Sequence, residues 1–122
     1  MENDPDDEFI PHPTTVAKLR ADLLKLEDSL NGRILTLQAL EIALQDHLRY
    51  RKNTIMCIKR LQAMKFADFS AYIDMLIVKR DKATEEIREY LDMMEETRKG
   101  ILNVVHGRTC TQAELAFAEG RF

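Results

Sequence analysis

One spacing constrains this chain more than any other feature. Phe69, Ile73, Leu76, Arg80, Ala83, Ile87, Tyr90, Met94, Thr97, Ile101 and Val104 follow one another at alternating steps of four and three residues. Side chains so spaced lie along one stripe of an α-helix, and a stripe held over many heptads needs a second helix to cover it. Only Arg80 and Thr97 are polar within it. Between residues 14 and 106 there is no proline, and glycine occurs only at Gly32 and Gly100. The whole chain of 122 residues holds four glycines, three prolines and the serines Ser29 and Ser70. That is too few turn formers for the tight connections of a β-sandwich or barrel.

A partner stripe precedes it. Thr14 or Thr15, just after Pro13, supplies an N-cap. Val16, Leu19, Leu23, Leu26 and Leu30 then repeat at steps of three and four. Asn31-Gly32 is either a left-handed helix stop or a glycine carried inside a helix at a cost of about 1 kcal/mol. Periodicity resumes with Ile34, Leu37, Leu40, Leu44, Leu48, Ile55, Ile58 and Leu61. A turn is expected over residues 65–70. Asp68 and Ser70 are candidate caps there, and Lys59, Arg60 and Lys65 suit the C-terminus of the preceding helix. The second helix should stop at Gly107. A short last helix is expected from Thr111, where Thr111 and Glu114 read as a capping box before Leu115, Ala116 and Phe117.

The expected fold is therefore all-α: a long antiparallel, coiled-coil-like helical hairpin of residues 14–65 and 69–106. If the first helix breaks at Gly32 it becomes a three-helix bundle. Residues 1–13 form an acidic, proline-containing tail, and residues 107–122 a C-terminal segment with its short helix.

A two-stranded coiled coil needs apolar residues only along its seam. This chain has more. Leu35 and Ile42 stand one heptad apart on a second face of the first helix, and Ile77, Leu91 and Met93 flank the seam of the second. Apolar side chains left outside a seam mark contact surfaces, here candidate interface residues. They predict either a third helix within the chain or a partner, with a second copy as the simplest.

Composition removes several function classes. The net charge is −3, from 18 basic and 21 acidic residues, which disfavours a dedicated nucleic-acid binder. No apolar run, that from Met75 to Val78 included, approaches the ~18 residues of a membrane span. Glu2, Asp4, Asp6, Asp7 and Glu8 make the N-terminus unlike a cleavable secretory signal. Cys57 and Cys110 form no disulfide framework. These features lead us to expect a protein of the cytoplasm or of an intracellularly assembled particle.

Chemistry-bearing motifs are lacking. His12, His47 and His106 form no HExxH, and no Glu stands three residues before His47 or His106, as a di-iron bundle requires. His47 reads as a structural histidine near Glu86. Cys57 lies ten residues from His47, too far along a helix for a nucleophile pair. The glycines are too dispersed for a phosphate loop, and no serine has the flanking glycines of a nucleophile elbow. We expect no enzymatic activity, no cofactor, no metal and no small-molecule substrate.

Charge is distributed unevenly. Arg49, Arg51, Lys52, Lys59, Arg60 and Lys65 fall in a stretch without acids. Arg49, Lys52, Lys59 and Arg60 are its candidate basic face. Glu85, Glu89, Asp92 and Glu96 form an acidic stripe suited to docking on a basic partner. Phe9, Ile10, Phe117 and Phe122 are candidate anchors at the two ends. The reading that follows is a non-enzymatic oligomerisation or assembly protein, whose partners are its own copies, another protein, or both. The alternatives are a regulatory module or inhibitor that docks through the acidic stripe, and, with less support, nucleic-acid binding through residues 49–65.

Overall fold

A computed structural model describes residues 13–64 and 68–120. It consists of two long helices, α1 (Pro13–Ala63) and α2 (Ser70–Ala118), which pack against each other, and the described residues contain no strand. The chain divides into two compact units. Of the described residues, a central unit comprises 36–64 with 68–97, and a terminal unit comprises 13–35 with 98–120.

In the central unit the heptad stripes of α1 and α2 meet in antiparallel register. Leu44, Thr54 and Ile58 of α1 and Leu76, Ala83 and Met94 of α2 are buried. The polar members of this seam are bonded. Arg51 Nε donates to Thr84 Oγ1 at 2.7 Å, and Thr84 Oγ1 donates to the Arg80 carbonyl at 3.0 Å. Thr54 Oγ1 donates to the Tyr50 carbonyl at 2.9 Å, which satisfies the one buried hydroxyl of the core. Arg80 grips Asp81 Oδ1 through Nε and Nη2 at 3.1 and 3.0 Å. A seam arginine thus satisfies its charge at the edge of the helix pair rather than inside it.

In the terminal unit, Leu30 and Leu115 are the buried apolar residues among those described. Leu26 lies against Gly107, with its Cδ2 at 3.7 Å from where a Cβ would stand. Arg33 occupies a seam position and lies over Gly100, where a methyl group would meet its guanidinium. Arg20 Nη2 pairs with Glu119 Oε1 at 3.1 Å. Arg108 Nε is buried and has no hydrogen-bond partner among the described residues.

One open alternative is decided and two expectations are corrected. First, α1 is unbroken through Asn31-Gly32, so there is no three-helix bundle. The physical reason is register: Val16, Leu23, Leu30, Leu37, Leu44, Arg51 and Ile58 are spaced by seven throughout. A glycine costs about 1 kcal/mol, whereas one fully buried leucine contributes about 1.5–3 kcal/mol. Gly32 faces outward with nothing within 4 Å of a Cβ there. Second, α2 does not stop at Gly107 but continues to Ala118. Its stripe carries on through Arg108, Thr111, Leu115 and Ala118, and the glycine that ends it is Gly120, at φ 70°. Gly120 N–H donates to the Phe117 carbonyl at 3.0 Å, as a left-handed helix stop requires. Third, Thr111 and Glu114 lie inside α2, so they cap nothing and the separate short helix does not form.

The expected cap at the start of α2 is present. Asp68 Oδ1 accepts hydrogen bonds from the hydroxyl and the backbone N–H of Ser70. The hydroxyl bond first, and then the backbone bond, hold the Asp68 carboxyl below its ordinary value.

Candidate interaction surface

Two helices in contact bury only the stripe between them. Among the described residues seven apolar side chains are buried, none of them fully, while fifteen large apolar side chains are exposed. Most of the large apolar surface of the described residues thus lies on the outside of the helices.

The candidate interface residues are distributed as follows. Leu35, at the edge of the terminal unit, is 65% exposed and Ile42, in the central unit, 67%. Leu91 and Met93 are exposed and Ile77 half-buried. They do not share one face. Ile77 and Leu91 each stand one position after a seam residue of α2, Leu76 and Tyr90, as Leu48 and Ile55 stand after His47 and Thr54 of α1, and the antiparallel pairing of the two stripes puts positions of that phase on one flank. Met93 lies on the opposite flank, in a shallow groove of about 430 Å³ with Thr36, Leu40, Asp92, Glu96 and Thr97. Ile42 borders a separate groove of about 630 Å³ with Glu41, Leu44 and Met94.

The acidic stripe Glu85, Glu89, Asp92 and Glu96 is exposed along α2, and Arg49, Lys52, Lys59 and Arg60 are exposed along α1. Phe117 is exposed in the last turns of α2. Phe9, Ile10 and Phe122 lie outside the described residues.

His47 stands where antiparallel pairing takes it. Its Nδ1 is 3.8 Å from Glu86 Oε2, and its ring centroid is 4.8 Å from that of Tyr90, tilted by 46°. An open groove of about 400 Å³ lies beside it, lined by Asp46, Tyr50, Lys79, Lys82 and Glu86. Charges of both signs line it. The arrangement orients a ring in a helix seam. Cys57 is half-buried and Cys110 exposed, its Sγ 3.7 Å from His106 Nε2. Among the described residues no group of three or more His, Cys, Asp or Glu side chains is placed to hold a metal ion. None of their helices is long and apolar enough to cross a membrane.

Reading the sequence by stripes misses several of the most exposed apolar positions. Leu24, Val78 and Leu102 are 63%, 67% and 68% exposed. For Val78 a signal existed. Four consecutive apolar residues, Met75 to Val78, wind around a whole helical turn, so one of them must point away from any single partner. Tyr72 and Met75 are exposed close by. No family model, curated protein or solved structure matches this chain.

Proposed function

We propose that the chain is a non-enzymatic helical assembly protein: a scaffold, an adaptor or a small structural component of a larger complex such as a virion or secretion apparatus. It works by burying outward apolar side chains against further helices, beginning with those of its own copies. One observation carries this reading, the excess of exposed over buried large apolar side chains. Each such side chain gains about 1.5–3 kcal/mol on full burial, so a handful of them outweighs the polar terms of a helical surface. Light scattering after size exclusion, at low and high salt, tests it. A stable oligomer at both salt concentrations is the expected result. A monomer at tens of micromolar (on the scale where a useful assembly contact must hold) overturns it.

A second reading rests on the exposure of Glu85, Glu89, Asp92 and Glu96 along α2. A regulatory module would lay this stripe in a basic groove of another protein. Its binding would weaken steeply with salt, and charge reversal along the stripe would abolish it.

A further inference from the structure

The flank of the central unit that carries Leu48 and Ile55 on α1 and Ile77 and Leu91 on α2 has a second property. Each of these apolar residues has a polar or charged neighbour one turn further on. Lys52 follows Leu48 and Lys59 follows Ile55, so two lysines one heptad apart edge the α1 side. On the α2 side the edge row is Asp74, Asp81, Arg88 and Glu95. Lys52, Lys59, Asp74 and Asp81 are all exposed. The structure gives Lys52, Lys59 and Asp74 no ion pair among the described residues, and Asp81 uses Oδ1 alone to hold Arg80.

The two rows are in register. His47 stands level with Glu86, Arg51 with Thr84 and Leu40 with Met93. The same stepping sets Lys52 level with Asp81 and Lys59 level with Asp74. Within one chain these rows edge opposite sides of the apolar strip, where they do not meet. On the other flank the signs are mixed: Asp46 lies on α1, with Lys79, Lys82 and Glu86 on α2.

We infer that this flank is the seat of a second copy of the chain. The two copies stack face to face about a two-fold axis parallel to the helices, so that α1 of each lies over α2 of the other. The charges select that axis. It sets Lys52 and Lys59 of one copy against Asp81 and Asp74 of the other, twice over by symmetry. The alternative two-fold, across the helices, sets lysines against lysines and aspartates against aspartates, and like charges in contact are strongly disfavoured. Leu48, Ile55, Ile77 and Leu91 then join the seam residues in a four-helix core, which gives affinity, while the charged edges fix orientation. The inference rests on the assembly reading above and adds its face and its geometry.

The test uses two full-length variants, Lys52→Glu with Lys59→Glu, and Asp74→Lys with Asp81→Lys. Sedimentation equilibrium would follow wild type, each variant and their equimolar mixture in 50 mM salt, with helix content checked by circular dichroism. Each variant alone now opposes like charges, and its self-association should weaken at least about ten-fold. The mixture restores opposite charges at every edge contact, so a heterodimer of near wild-type affinity is expected. Weakened variants without rescue overturn the inference. Variants that self-associate like wild type overturn it too, and indicate another face or axis while the assembly reading stands. A monomeric wild type removes the assembly reading itself, and this inference with it.

Discussion

The central and terminal units are built from the same two helices, yet they are fastened differently. The central unit buries Leu44, Ile58, Leu76, Ala83 and Met94, and its polar seam residues Arg51, Thr54 and Arg80 each have a bonding partner. The terminal unit buries Leu30 and Leu115 and carries Gly32, Gly100 and Gly107. It also holds a seam arginine over a glycine, and Arg108 Nε there has no partner among the described residues. The lesson is that a continuous heptad pattern does not imply uniform stability. Where small and polar residues replace leucine, the stripe still directs the helices together, but each such position offers less apolar surface for burial than a leucine would.

The sharpest way to break this comparison is to remove one leucine from each unit. Leu44→Ala should cost about 2–3 kcal/mol, the lower part of the range for a buried leucine, because the two-helix seam is not fully enclosed. Leu30→Ala should cost about 1 kcal/mol globally, with the loss appearing chiefly as faster amide exchange in residues 20–35 and 98–118. Urea melts at fixed protein concentration, paired with hydrogen exchange, measure both. Equal global losses would mean that the two units open as one.

Two substitutions should strengthen the weaker unit. Arg108→Met keeps an aliphatic stem in place and removes the buried, unpartnered Nε, so a gain of about 1 kcal/mol is expected. A loss would show that Arg108 Nε has a bonding partner in the folded chain. Gly32→Ala should gain somewhat under about 1 kcal/mol, since the added methyl meets nothing. Gly100→Ala should gain less, because its methyl displaces the Arg33 guanidinium. Thermal melts followed at the helix band would rank the pair, and the reverse order would contradict the close approach of Arg33.

The smallest effect belongs to the cap of the central unit. The folded-state pKa of Asp68 lies below its ordinary 3.8. The cap's contribution is therefore present above that value and is lost as pH falls through the lowered one. Asp68→Ala should melt earlier than wild type at pH 7, and the gap should narrow below pH 3.8. A gap independent of pH would place its origin outside the carboxylate.

Much of this molecule is written in local spacing. The steps from Phe69 to Val104 identify α2 because the same residues must meet one partner stripe. The Asp68 cap and the approach of His47 to Glu86 follow from helix chemistry and from where two stripes can fold together. Glycine is where local spacing decides least. Gly32 and Gly107 look like stops when judged locally, but the helix at each is decided by whether a stripe on both sides keeps its phase. Gly120 ends α2 because the chain there turns left-handed, with the stripe behind it complete. The candidate surface was legible as an excess of apolar residues, not as a face. Spacing told that Ile77 and Leu91 stand outside the seam. Only packing told that they share a flank with Leu48 and Ile55, that Met93 belongs to the other side, and that two lysines stand level with two aspartates. Periodicity is a property of one helix and is fixed by its sequence. Which edges of two helices come to lie side by side depends on their antiparallel register, and that is set by long-range contacts that no local pattern contains.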